Sequence, residues 1–282
     1  MNVRRRLLLG SSLVIGVGTF AIASLDAHDL FLKPRDFVVR QGDSVHVRVL
    51  NGTFTSSESV VAPERVRELS VAGPDGVSHP ARDAWSASGK ESAWRVGLGG
   101  PGTYVLGASL APKTIRLTGA QFAEYLTEEG FPDVLAARQT AGIMASPAHE
   151  RYAKHVKALV QVTGRGAPTA DTAYRTMLGY PAELVPLSNP YSLKLGATLV
   201  VRALVDGSPI ARQVVLSGGH TADGKRIAER RVRTDAAGRA SIPLSRRGTW
   251  YVKFIQMVPV PSSAADSVTH ESKWATLTFA LP

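Results

Sequence analysis

The chain has 282 residues and no cysteine. Disulfides, thiolate metal sites and a cysteine-linked lipid anchor are therefore excluded, and any metal must be held by His, carboxylate, Met or backbone groups. The 33 Lys and Arg against 23 Asp and Glu leave a net charge of +10. These cations are scattered in pairs such as Arg230-Arg231 and Arg246-Arg247, with no interleaved aromatics, which argues against a nucleic-acid partner.

In chain order, residues 1–27 carry the parts of a secretory signal. Arg4, Arg5 and Arg6 form the positive end, and Leu7 to Ala23 is apolar and uncharged. Two cleavage sites compete. Ala21-Ile22-Ala23 would leave Ser24 first, and Leu25-Asp26-Ala27 would leave His28 first. The arginines followed by leucines also weakly resemble a twin-arginine signal, which implies export in the folded state. The expected location is periplasmic or otherwise exported. No later stretch is long and apolar enough for a membrane span.

The first third reads as strands. Phe37 to Arg40 leads into a Gly42-Asp43 turn, and Val45, Val47 and Val49 then alternate with His46 and Arg48. Asn51-Gly52 is a turn signal, as is Gly73-Pro74-Asp75-Gly76. Thr103 to Leu106 is a further strand. The middle is helical: Thr118 with Gln121 fits a capping box, Phe122, Tyr125 and Leu126 recur at helical spacing, and Gly130 ends the run. A second helix is expected after Pro132-Asp133. Glu150 to Val162 is ambiguous, with Val156 to Val162 reading as a strand that returns to the sheet.

The last third reads as strands and echoes the first. Gly42-Asp43-Ser44-Val45-His46-Val47-Arg48-Val49-Leu50 aligns with Gly196-Ala197-Thr198-Leu199-Val200-Val201-Arg202-Ala203-Leu204. Gly102-Thr103-Tyr104-Val105 aligns with Gly248-Thr249-Trp250-Tyr251-Val252. The expected fold is mainly β, with two immunoglobulin-like β-sandwich domains over 28–117 and 166–282 and a helical insertion with a returning strand over 118–165.

No nucleophile elbow, P-loop, zincin helix or dinucleotide fingerprint is present, and no carboxylates form a compelling acid/base pair. The chain is expected not to be an enzyme. The chemistry points instead to the seven histidines. If cleavage falls before His28, its free amine and imidazole form a chelating pair suited to Cu(II) or Ni(II). His46 is expected to face solvent, and His79 lies in a loop. His220 follows Gly218-Gly219 at an expected loop tip, and His270-Glu271 lies just before the final strand. Met257 is a possible soft ligand, though such a Met is more often core.

Five runs resemble the domain-of-unknown-function family 4198: His28-Asp29-Leu30-Phe31-Leu32, Asn51-Gly52-Thr53-Phe54, Tyr152-Ala153-Lys154-His155-Val156-Lys157-Ala158, Glu183 to Tyr191, and Trp274-Ala275-Thr276-Leu277-Thr278-Phe279. The resemblance spans nearly the whole chain after the signal. It implies an exported bacterial protein, and some members are described as nickel or cobalt uptake components. It favours the cut before His28, and it places His28, His155 and Glu271 at polar positions of the pattern. Gln256 stands where the pattern often has His, and Lys273 where it often has an aromatic, so this chain lacks one potential ligand and gains a nearby charge. The resulting expectation is a periplasmic protein that binds nickel, cobalt or copper through His28, His155, His220, His270 and Glu271 and hands it to a membrane metal-uptake system. Two other readings stand beside it: a metal-free envelope module that binds protein or glycan, and a copper enzyme with an N-terminal His brace.

Overall fold

A computed structural model describes residues 28–166, 171–261 and 267–282. The signal segment and both cleavage sites lie outside the described residues. Nine strands come first: β1 (Asp29–Pro34), β2 (Val38–Arg40), β3 (Ser44–Gly52), β4 (Val66–Gly73), β5 (Gly76–Ser78), β6 (Trp85–Ser88), β7 (Glu91–Gly97), β8 (Gly102–Leu110) and β9 (Lys113–Leu117). Helices α1 (Gly119–Glu128) and α2 (Pro132–Thr140) follow. The rest is β10 (Ala148–Thr163), β11 (Ala182–Pro186), β12 (Thr198–Val205), β13 (Ser208–Pro209), β14 (Val214–His220), β15 (Arg226–Arg233), β16 (Arg239–Pro243), β17 (Gly248–Pro259) and β18 (His270–Leu281). The protein is mainly β. No helix among the described residues is long and apolar enough to cross a membrane.

The strands form three sheets. A first outer sheet has the order β1-β3-β7-β6. A second outer sheet runs β11-β12-β13, with β16 also on β12. Between them lies a ten-stranded sheet, β15-β14-β17-β18-β10-β8-β4-β5, with β2 and β9 also paired to β10. Parallel pairing of β10 with β18 joins strands from both ends of the chain into this one sheet. The segments 28–117, 118–165 and 166–282 all contribute to it.

Side-chain alternation along β10 explains the layering. Val156, Ala158, Val160 and Val162 enter a core with Leu30, Leu32, Val47 and Trp94 from the first outer sheet. Leu159 points the other way, into a core with Leu184, Leu199, Val252 and Leu277. β1 is fastened across the first face by the hydroxyls of Thr276 and Thr278, which donate to Leu30 O at 2.8 Å and Leu32 O at 2.5 Å.

The aligned segments occupy matching places. β3 and β12 are inner strands of the two outer sheets, and β8 and β17 both lie in the central sheet. Their leading glycines match in backbone angle: φ is 90° at Gly42 and 88° at Gly196, and 148° at Gly102 and 137° at Gly248. Side-chain-bearing residues avoid this region, so glycine is required at both points of the repeat.

The capping box at Thr118 is formed, with Gln121 Oε1 accepting from Thr118 N at 2.9 Å. Phe122, Tyr125 and Leu126 pack on Tyr152, Ile255, Met257 and Trp274 and cover one end of the first face. Two local expectations differ from the structure. Asn51-Gly52 does not turn the chain but ends β3, opposite Leu30 and Asp29. The turn follows it, where Thr53 N donates to Ser56 O at 3.0 Å. His270 opens the last strand rather than preceding it. The segment Glu150 to Val162, open at its start, is strand throughout, with the expected strand Val156 to Val162 at its end.

On the second face, Lys157 Nζ meets Glu183 Oε2 at 2.8 Å, with both side chains buried. Glu183 also accepts from Leu178 N and Tyr180 N at 2.9 Å each. Burial lowers the Lys157 pKa, and the Glu183 charge opposes that. Lys157→Met leaves Glu183 buried without its cation. It is expected to cost about 3–5 kcal/mol in urea unfolding, whereas Lys157→Met combined with Glu183→Gln costs less than Lys157→Met alone.

Candidate functional site

The first face of the central sheet carries a band of charge where β1 begins. Lys253, on β17, places its ammonium 2.5 Å from Asp29 Oδ2 and 3.2 Å from Glu129 Oε2 just past α1. Burial works against the Lys253 charge, but the two carboxylates outweigh it and hold its pKa above the ordinary value. Glu129 responds in the opposite sense. Burial first, and then the Asp29 charge, raise its pKa to about 7, with Lys253 opposing. Lys154, on β10, is fully covered and donates to the carbonyl of His28 and, at 3.3 Å, to Asn51 Oδ1. Burial lowers its pKa to about 8, while Asp29 and Glu129 partly support the charge.

Asp29 and Glu129 of this band line a cleft of about 480 Å³, together with His28, Glu58, Phe54, His220, Arg226 and Tyr251, among others. His28 Nε2 lies 3.2 Å from Glu58 Oε2. The His220 ring stacks on Phe54 with centroids 6.0 Å apart, and Phe54 in turn meets Tyr251 edge-on at 5.0 Å. Nδ1 of His220 is buried with no hydrogen-bond partner among the described residues. Burial, then Lys33 and Arg226, keep the His220 imidazole below its usual pKa and so favour its neutral, ligating form. Two glycines bring it here. A Cβ on Gly218 would meet Tyr251 Oη at 2.6 Å, and one on Gly219 would meet Thr249 O at 2.1 Å, so only glycine lets β14 press onto β17 at this point. His220 therefore ends a strand, opposite Arg226 and Thr249, and is not a loop tip.

Of the five expected ligands, His28 and His220 share this cleft and the other three do not. His155 lies on the second face, its Nδ1 3.0 Å from Ser109 Oγ and its Nε2 buried without a hydrogen-bond partner among the described residues. Burial, with Lys273 nearby, lowers its pKa to about 4. His270 packs on Phe122 at 4.8 Å and pairs through Nδ1 with Thr269 Oγ1 at 2.8 Å. Burial, with Arg138 beside it, also lowers its pKa to about 4. Glu271 accepts from Arg151 Nε at 2.9 Å. Met257 is core. Among the described residues, no group of three or more His, Asp or Glu side chains could hold a metal ion.

Sequence reasoning missed Glu58, Glu129, Lys154 and Lys253. Lys154 and Lys157 did carry a signal: both interrupt the apolar run of β10, where a charge must be buried and paired.

The family described as "Domain of unknown function (DUF4198)" matches residues 25–257. No curated protein matches the chain. Among solved structures, a DUF4785 family protein from Legionella pneumophila subsp. pneumophila str. Philadelphia 1 is 11% identical, over 79% of this chain and 51% of that one, with a TM-score of 0.24. The chain thus spans about half the length of that protein, and a likeness this slight carries no argument.

Glu129 generates a pH prediction. Its carboxyl holds its proton up to about 7 in the folded chain but only to its ordinary 4.5 when unfolded. The stability it contributes is full below 4.5 and is lost as pH rises to about 7. Glu129→Gln is expected to flatten this part of the pH profile of the urea midpoint. A profile unchanged by the substitution would contradict the assignment.

Proposed function

The chain belongs to the DUF4198 family, and from its cleft we propose that it is an exported protein that binds one transition-metal ion between His28 and His220. The observation that carries this reading is that the two imidazoles line one cleft while His220 Nδ1 is buried with no hydrogen-bond partner among the described residues. A buried unpaired ring nitrogen is costly unless a ligand takes its lone pair.

Two imidazoles alone make a weak site. Cleavage between Ala27 and His28 would supply the third donor, the α-amine of His28, beside its own ring. Lys154 supports this arrangement because it grips the His28 carbonyl and so fixes the backbone that would carry the amine. Glu58, at 3.2 Å from Nε2, would orient the His28 ring and leave Nδ1 to chelate with the amine. Amine and imidazole donors suit copper and nickel, and the family resemblance favours nickel or cobalt. Delivery to a membrane uptake system is the role that fits an exported carrier of this kind.

Calorimetry with Ni(II), Co(II) and Cu(II), on protein whose first residue is verified as His28, tests the proposal. One ion per chain is expected, with affinity falling at least about tenfold in both His28→Ala and His220→Ala. His155→Ala and Glu271→Ala are expected to leave it unchanged. Affinity indifferent to His28 and His220 would overturn the reading.

A further inference from the structure

A second cavity, of about 330 Å³, opens on the other side of the β1–β3 pair from the His28 cleft, beside the start of β4 and the β8–β9 connection. Its polar wall is Asn51, Ser59, Arg65, Lys113, Tyr152 and Lys154, with apolar side chains between them, and no carboxylate lines it. We propose that the cavity walled by Arg65, Lys113 and Lys154 is a binding site for a small oxyanion, a carboxylate or phosphate group.

Three observations support the assignment. First, three cations line one small cavity whose wall holds no carboxylate, although like charges repel. Second, the hydrogen bonds of Lys154 go to neutral acceptors, the His28 carbonyl and the Asn51 amide oxygen, which use two of the three protons of its ammonium. The carboxylates that support its charge, Asp29, Glu129 and Glu150, are not in the cavity wall. Third, Arg65 Nη2 donates to Ala111 O at 2.9 Å while its Nε is buried without a partner among the described residues. An oxyanion would satisfy that donor and relieve the repulsion between Arg65 and Lys154. A guanidinium and ammoniums suit a carboxylate or phosphate, and the volume suits a small molecule. His28 and His220 do not line this cavity, although Lys154, which does, also holds the His28 carbonyl.

The test is calorimetric titration of the full, chelator-treated chain with inorganic phosphate and, separately, with succinate. Chelation removes any cleft-bound metal that could attract the anion itself. Saturable binding of at least one probe at one molecule per chain is expected. Succinate alone would assign a carboxylate, and phosphate alone a phosphate. Lys113 is exposed, so Lys113→Glu is expected to fold normally and weaken binding about tenfold. Arg65→Gln is expected to do the same, and His28→Ala, which keeps the carbonyl that Lys154 holds, to have no effect. Absence of saturable binding by both probes, or affinity unchanged in both Lys113→Glu and Arg65→Gln, would overturn the proposal.

Discussion

Strand β10 has 16 residues and is buried along most of its length on both faces. That single constraint organises the molecule. A strand between two cores must send alternate residues to opposite sides, and each side needs an apolar sheet against it. The first outer sheet covers one face and the second covers the other. Parallel pairing with β18 then brings the C-terminal strands into the same sheet, so neither half can pack without this strand.

The polar residues of β10 bind the layers together. Glu150, Lys154, His155 and Lys157 are all buried. Each finds its partner on a different element: Tyr125 for Glu150, the His28 carbonyl for Lys154, Ser109 for His155 and Glu183 for Lys157. Partnering of this kind limits the cost of burial and also fixes register, because a slip by one residue would send each charge to the wrong face. Lys154 and Lys253 together hold the start of β1 against the sheet. Residue 28 is thereby held at the mouth of a cleft whose far wall is His220 and Tyr251.

Much of the architecture was legible because it rests on local rules. The Thr118 capping box, the helix after Pro132 and the valine alternation of β3 involve residues within a few positions of each other. The repeat was legible through glycines, whose positive φ at Gly42 and Gly196 leaves a mark in the sequence. Asn51-Gly52 misled because its pairing with β1 depends on residues far away in the chain. The candidate site was legible only in part for the same reason. His28 could be singled out by its place beside an expected cleavage site. Its company could not, since Glu58, Glu129, His220 and Lys253 converge from four separate segments. His155, His270 and Glu271 look equivalent to them in the sequence, but strand alternation and local partners send each elsewhere.

The central claim is that His28 and His220 serve one ion. Pulsed electron paramagnetic resonance of the copper-loaded chain, begun at His28, addresses it directly. The account predicts couplings from the remote nitrogens of two imidazoles, one of which disappears in His220→Ala. Identical spectra for the wild-type chain and His220→Ala would contradict it.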